Sequence, residues 1–545
     1  MLVPKLFTTL KGYNREAFIK DLTAGIIVGV VALPLAIAFA IASGVSPEKG
    51  LITAIVAGFL ISALGGSRVQ IGGPTGAFVV VIYGVVQKFG TDGLIVVTVL
   101  AGVILILMGL AKFGAVIKFI PTPVVTGFTS GIAVIIFSSE IKDFLGLKMG
   151  AVPAEFFEKW AAFGENLRHI NPWAVGLATL SMLIIIYWPR VSQKVPSPFV
   201  ALIFTTAIAQ IFAIPVETIG TRFGEISGTF PIPHVPHMTL PMIRMLMPSV
   251  FTVAVLGAVE SLLSAVVSDG MIGGKHRSNM ELVAQGIANI ASPLFGGIPA
   301  TGAIARTATN IKSGGRTPVA GIVHAVTLLL IMLAFGRWAS MIPLATLAAI
   351  LVIVAYNMSE WRTFRWLLKT PKSDIIVLLT TFILTVVVDL SVAIEAGMVL
   401  AAFLFMHRMA TVTNVSVITR EVEDTESGWP PELANVTVPP DVQIYEINGP
   451  FFFGAAETFT QTITSMGPFP RVLIIRMRNV PALDATGIKA LEDIYKRARH
   501  AKGRLIISEI HSQPYLALEG SGFLARLGEE NLAPSLTESI QRAGS

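Results

Sequence analysis

The sequence predicts a polytopic α-helical membrane protein: two inverted seven-span repeats, fourteen spans in all, followed by a small cytoplasmic α/β domain. Three observations carry this. Of 545 residues, 53% are hydrophobic and only 14% charged, and the mean hydropathy is +0.73; a soluble chain carries about a quarter charged residues. Apolar runs recur from Asp21 to Met406, several of them long enough to cross roughly 30 Å of hydrocarbon. Two short stretches far apart also look like copies of each other: Gly72-Gly73-Pro74-Thr75-Gly76-Ala77-Phe78 and Gly296-Gly297-Ile298-Pro299-Ala300-Thr301-Gly302-Ala303-Ile304.

Residues 1–20, with Lys5, Lys11, Arg15 and Lys20, read as a basic cytoplasmic lead-in to the first span, with no cleavable signal apparent. The first repeat, 21–214, is expected to hold spans near 22–44, 50–65, 74–87, 93–111, 122–138, 173–188 and 198–214. A polar, proline-rich loop, 215–246, follows. The second repeat, 247–408, is expected to hold spans near 248–268, 281–295, 299–311, 318–335, 341–356, 374–388 and 390–407. Spans 3 and 10 are short, and both are entered through the copied motif. Each motif is expected to put its proline in the first turn of a half-helix, where the missing N–H is not needed. Free N–H groups and the helix dipole there attract an anion. Such half-helices in matching positions of two repeats point to a transport site.

Seven is odd, so the halves have opposite topology, and an even total puts both termini on one side. Loops on that side carry seventeen Lys and Arg, and the opposite loops nine. The positive-inside rule then places both termini in the cytoplasm, with the chain in the inner membrane. Residues 1–408 hold 28 Lys+Arg against 18 Asp+Glu, a balance of +10, and residues 409–545 hold 12 against 16, a balance of −4. The basic excess therefore belongs to membrane loops and gives no nucleic-acid signature. Residues 409–440 read as a linker; their Asn435-Val436-Thr437 sequon is irrelevant at a cytoplasmic position. In 441–545, strand patterns at 442–447, 471–477 and 504–508 alternate with helical ones at 455–466 and 485–501, which suggests one small α/β sheet.

The chain has no cysteine, which excludes disulfides and thiolate metal sites. It shows no nucleophile elbow, phosphate-binding loop or zinc motif, so neither an enzyme nor a bound cofactor or metal is expected. Glu260, inside span 8, is the first candidate for chemistry, because an ionisable residue at that depth is costly. Burial favours the neutral form of a carboxyl, which makes proton uptake feasible; the alternative is a structural glutamate bonded to a neighbouring span. Arg306, about two turns into span 10, adds a permanent charge, or else snorkels or packs. Each half-helix start acts as about half a positive charge. Two starts plus Arg306 give about +2, which suits a divalent anion. An ionised Glu260 about 6 Å from that anion would repel it by roughly 3 kcal/mol at an effective dielectric near 20. Proton and anion would then bind together. Thr75 and Thr301 could donate hydroxyls to the anion or cap the half-helices. Ser264, one turn beyond Glu260, could line the same cavity. His324 reads as a packed neutral histidine, and Asp389 and Glu395 as helix-end charges.

Several of these segments resemble the SulP family of anion transporters: Asp21-Leu22-Thr23-Ala24-Gly25-Ile26, Leu33-Pro34-Leu35-Ala36, Gly72-Gly73-Pro74-Thr75, Gly127-Phe128-Thr129-Ser130-Gly131 and the span-10 motif. The resemblance covers almost the whole chain. It implies core and gate domains, an anion held between spans 3 and 10, and a homodimer. The tail resembles a STAS domain, a module related to anti-sigma-factor antagonists, through Leu483-Asp484-Ala485-Thr486-Gly487. Thr486 matches a position phosphorylated in some stand-alone relatives, and is otherwise a helix-start residue; a cytoplasmic regulatory partner could act there. Within SulP the block Leu256 to Leu263, Asp269-Gly270-Met271, Lys275-His276, Glu281-Leu282-Val283, Ala303 to Arg306, Asn357-Met358-Ser359-Glu360 and Lys372 to Ile376 is similar to the bacterial C4-dicarboxylic acid branch.

That branch implies proton-coupled uptake of succinate, fumarate or aspartate-like dicarboxylates. Thr75, Gly76, Ala77, Thr301, Gly302, Ala303 and Arg306 would hold the anion, and Glu260 the coupling proton. Sulfate or bicarbonate transport on the same fold, or an uncoupled channel or sensor, are the alternatives. Two departures stand out. Leu35 occupies the place of a glutamine common in the family. Glu260 and Ser264 replace the aspartate and threonine of the sodium-coupled bicarbonate branch, which argues against sodium as coupling ion.

Overall fold

The computed structural model describes residues 2–544 except 116–119, 151, 154, 193–194, 226–228, 234–238, 389, 419–437 and 466–468. Asp389, the Asn435 sequon and most of the expected linker therefore lie outside the described residues. The chain divides into two compact units, Met1–Val399 and Leu400–Ser545.

Fourteen helical segments match the fourteen expected spans. They are Arg15–Ala42 (span 1), Pro47–Leu64 (2), Gly76–Leu110 (3 and 4, divided at Gly90, where φ is 68°), Thr122–Leu145 (5), Pro172–Tyr187 (6) and Ser197–Ile211 (7). The second set is Leu240–Ile272 (8), Ser278–Leu294 (9), Ile304–Lys312 (10), Pro318–Ala339 (11), Leu344–Met358 (12), Lys372–Val387 (13) and Leu390–Val412 (14). Among the described residues, nine helices are long and apolar enough to cross a membrane, Gly76–Leu110 counting once. Spans 1–4 pack mainly with 8–11, and spans 5–7 with 12 and 13, which separates the two bundles that the family resemblance calls core and gate.

Three boundaries differ from expectation. Span 8 starts at Leu240 and keeps Pro248 inside it, because a membrane helix tolerates an interior proline when neighbours satisfy the freed carbonyl. The inter-repeat loop is correspondingly shorter than 215–246. Neither motif proline enters a helix: span 3 starts at Gly76 and span 10 at Ile304. Gly72 and Gly73 are strand instead of turn, whereas Gly296 stays in a turn. β1 (Gly72–Gly73) pairs antiparallel with β2 (Thr301–Gly302), Gly72 opposite Gly302 and Gly73 opposite Thr301. Equivalent strands from two repeats pair antiparallel when a two-fold axis relates them, so the inversion is visible in the backbone.

Each entry loop is tied by the opposite repeat. The Glu281 carboxylate on span 9 accepts from Gly66 N at 2.7 Å, Ser67 N at 3.0 Å and Gln70 Nε2 at 3.0 Å, all ahead of β1. The Thr53 hydroxyl on span 2 accepts from Ile298 N at 2.7 Å, ahead of β2. Asp21, in the first resemblance motif, accepts from Arg316 N at 2.8 Å and caps the start of span 11. These buried loops would otherwise leave backbone groups unpaired in a low-dielectric interior.

The second unit holds a five-stranded sheet in the order β3 (Asn414–Ile418), β4 (Val442–Asn448), β5 (Val472–Asn479), β6 (Arg504–Ser508) and β7 (Leu532–Ala533). β3 is antiparallel to β4 and the rest are parallel. Helices Phe453–Thr464 and Ala485–His500 lie where the helical patterns predicted them. β3 falls inside the expected linker. Its Val-Ser-Val alternation is a strand pattern too short to stand out beside the acidic stretch that follows, and its partner β4 supplies the pairing.

Candidate functional site

The N-termini of spans 3 and 10 flank the β1–β2 pair, so two half-helix starts meet in the middle of the core bundle. Their N–H groups are not equivalent. Thr75 is the N-cap residue of span 3 but makes no side-chain cap bond, which leaves its half-buried hydroxyl uncommitted to capping. Gly76 and Ala77, as first-turn positions, have no intrahelical acceptor for their N–H groups. In the second motif the expected donors are already used. Thr301 Oγ1 lies 2.6 Å from Ser261 Oγ and 3.1 Å from the Gly257 carbonyl. Gly302 N donates to Ser261 Oγ at 3.2 Å, and Ala303 N to the Ile71 carbonyl at 2.9 Å. The second half-site therefore moves two to three residues on, to the first-turn N–H groups of Ile304, Ala305 and Arg306. Ile304 and Ala305 are exposed, consistent with a cavity at that helix start. The sequence hides this shift because the acceptors that consume these donors lie on span 8, some 40 residues earlier, and at Ile71, more than 200 residues earlier.

Arg306 lies in the first turn of span 10, not two turns in, and is 2% exposed. Its Nη2 donates to the Pro74 carbonyl at 3.0 Å, across the repeats, and its Nη1 has no hydrogen-bond partner. The side chain thus brings the two copied motifs together through a charge. Gly73 makes room for it: φ there is 154°, and a Cβ would stand 2.3 Å from Arg306 Nη1. A buried guanidinium with a spare N–H beside two helix starts is a standing positive field.

Glu260 on span 8 is half-buried, while Ser261 and Ser264 on the same helix are buried. Ser264, expected to line the cavity, is buried against the second motif. Its hydroxyl donates to Thr307 Oγ1 at 3.3 Å, as Ser261 bonds Thr301, so both serines fasten span 8 to the second motif. Glu260 is left beside them, and the charge that bears on it is that of Glu360. Glu360 stands just beyond span 12 in left-handed backbone, φ 42° and ψ 37°, a strained position for a non-glycine residue. Two residues earlier, Met358 Sδ lies 2.8 Å from where a Gly76 Cβ would be. The loop after span 12 therefore reaches the start of span 3 and brings a second carboxylate towards Glu260. The Asn357-Met358-Ser359-Glu360 block was legible only as a resemblance, with no role attached.

Among the other candidates, His324 lies behind β1, against the same Gly58 that faces the Gly72 carbonyl. It is buried, and neither ring nitrogen has a hydrogen-bond partner. Glu395 is exposed. In the second unit, Thr486 is exposed in the first turn of its helix, and the cap is Asp484, which accepts from Gly487 N at 2.8 Å. Among the described residues no group of three His, Cys, Asp or Glu could hold a metal ion.

The arrangement concentrates positive potential between two inverted half-helices. The family model described as "Sulfate permease family" matches residues 18–381, and the "STAS domain" model matches 434–539. The chain is 43% identical over 523 residues to "Putative sulfate transporter YvdB" of Bacillus subtilis, covering 96% of this chain and 97% of that one. It is 31% identical over 541 residues to "Bicarbonate transporter BicA" of Picosynechococcus sp., covering 96% and 94%. The solved murine Slc26a9 anion transporter superposes with a TM-score of 0.88 at 21% identity, over 100% of this chain and 94% of that one, so the fold is the same. The chain belongs to the SulP, or sulfate permease, family of multi-pass anion transporters and carries a C-terminal STAS domain.

Proposed function

We propose that this transporter takes up a divalent anion, foremost a C4-dicarboxylate such as succinate, fumarate or an aspartate-like acid, together with a proton. The observation that carries the reading is Arg306: a buried guanidinium with an unpartnered Nη1 between two half-helix starts. Those charges sum to about +2, which a dianion neutralises and a monoanion does not. Glu260 supplies the coupling site, since its negative charge opposes the anion until it is protonated. The chain acts in the cytoplasmic membrane with both termini inside, as a homodimer, and a cytoplasmic partner at the STAS domain regulates it.

Uptake of labelled succinate and labelled sulfate by purified protein in proteoliposomes, each competing with the other, tests the substrate. Sulfate transport without succinate transport overturns the dicarboxylate reading. Sulfate or bicarbonate is the second reading, favoured by the names of the relatives above. For coupling, an inward proton gradient should accelerate the wild type several-fold and leave Glu260→Gln unaffected. If the gradient drives the glutamine variant as strongly as the wild type, Glu260 is not the coupling site.

A further inference from the structure

The helix Phe156–Asn166, between spans 5 and 6, buries a lysine while it exposes two aromatic side chains. Phe157 is 66% exposed and Trp160 41%, whereas Lys159 is 4% exposed. A lysine on an interfacial helix ordinarily lays its stem along apolar surface and keeps its ammonium in water. Here the ammonium points inward. It donates to Ser139 Oγ at 3.3 Å and lies 5.9 Å from the Tyr83 ring centroid. It makes no ion pair among the described residues, so only one of its three donors is used. Glu140, buried on span 5, is the carboxylate whose charge bears on it; Asp143, Arg222 and Lys159 bear on Glu140 in turn. Asp143 is committed to Arg222, at 2.7 and 3.0 Å. Burial pushes the Lys159 ammonium below the ordinary lysine range, and Glu140 partly opposes this.

The cluster is aligned with the central site. Tyr83 stands seven residues beyond Gly76 on the same face of span 3, about 10 Å along its axis. Glu140 stands one turn beyond Ile136, whose Cδ1 is 3.1 Å from where a Gly76 Cβ would be. Lys159 therefore lies beside Tyr83 and Ser139, about two turns along span 3 and about one turn along span 5 from the point where Gly76 meets Ile136. Tyr83 OH donates to the Val152 carbonyl at 2.8 Å, and Trp160 Nε1 to Ser138 Oγ at 3.2 Å, which hold the helix there.

We propose that Lys159 and the Ser139 hydroxyl form a second oxyanion site, where the transported anion stops between the aqueous phase and the half-helices. The inference rests on anion transport alone, not on the choice of anion or coupling ion. Because the chain has no cysteine, Lys159→Cys creates a single thiol in the full-length protein. KM is measured in proteoliposomes for labelled sulfate and labelled succinate presented to each face separately. The expected result is a rise of about tenfold on one face only, the loss of one charge-assisted hydrogen bond. A cationic ethylammonium methanethiosulfonate reagent should reverse the rise, and a neutral methyl reagent should not. An unchanged KM, an equal rise on both faces, or rescue by the neutral reagent overturns the site. If Lys159→Cys fails to fold, Lys159→Arg against Lys159→Gln makes the same comparison: arginine should keep the wild-type KM and glutamine lose it on one face, and equal values overturn the proposal. Failure to carry succinate, with the sulfate arm behaving as expected, counts only against the substrate proposed above.

Discussion

Arg306→Met is expected to raise KM for the transported anion close to a hundredfold, with smaller change in the amount of folded protein. The methionine fills similar volume but removes the buried charge and the free Nη1 donor. A hydrogen bond to a charged group contributes about 1.5–3 kcal/mol, and the upper part of that range corresponds to two decades in affinity. The guanidinium also bonds the Pro74 carbonyl, so some stability goes with it. Melting temperature and KM should therefore be recorded on the same preparation. Arg306→Lys keeps the charge but not the planar fork that reaches Pro74 and the site at once, and should fall between wild type and methionine. A KM within twofold of wild type for Arg306→Met would remove Arg306 from the anion site.

Glu281→Ala should destabilise the protein more than any substitution at the anion site, by at least about 3 kcal/mol. The Glu281 carboxylate is fully buried, and it accepts from two backbone N–H groups and from the amides of Gln70 and Gln285. Removing it strands these donors at about 1–3 kcal/mol each. Glu281→Gln keeps one acceptor oxygen but presents an NH2 group to other NH2 groups, so it should recover only part of the loss. The measurement is thermal unfolding of purified protein with anion-binding assayed alongside. An unchanged melting temperature for the alanine variant would show that the loop before β1 holds itself. Because that loop sets β1, and β1 sets Pro74 against Arg306, stability and transport should fall together.

Much of the fold was legible because hydrophobic length is a local property. All fourteen spans fall where apolar runs placed them, and the break between spans 3 and 4 falls on Gly90. The tail's parallel strands followed from short runs rich in Val, Ile and Leu, alternating in β4 and continuous in β5 and β6, separated by amphipathic helices. The copied motifs marked the two half-helices correctly in location and incorrectly in detail. Their prolines were read as helix starts, since proline suits that position. In the structure Pro74 follows and Pro299 precedes a two-residue strand that no periodicity could signal. Hydroxyls were drawn to the anion for the same reason. Thr301, in β2, and Ser264, in span 8, are polar residues at membrane depth, and whether such a group meets a ligand or a neighbouring element depends on that neighbour.

By itself the sequence determined the fourteen-span inverted-repeat architecture, and its resemblance to SulP and STAS chains gave the family and the tail; it also singled out the two half-helix starts, Arg306 and Glu260 as candidates for the site. The spans and the candidate charges rest on transfer free energy, helix periodicity and the cost of burying charge, each a property of a residue and its near neighbours in the chain, whereas the family and the STAS tail rest on motif resemblance. Only the tertiary structure decided which donors remain free. Gly302, Ala303 and Thr301 spend theirs on span 8 and β1, Arg306 keeps Nη1 in reserve, and Glu360 arrives from a loop a hundred residues beyond Glu260 in the chain. Hydrogen-bond satisfaction is a pairwise matter between groups brought together by folding, and the anion binds to what that pairing leaves over.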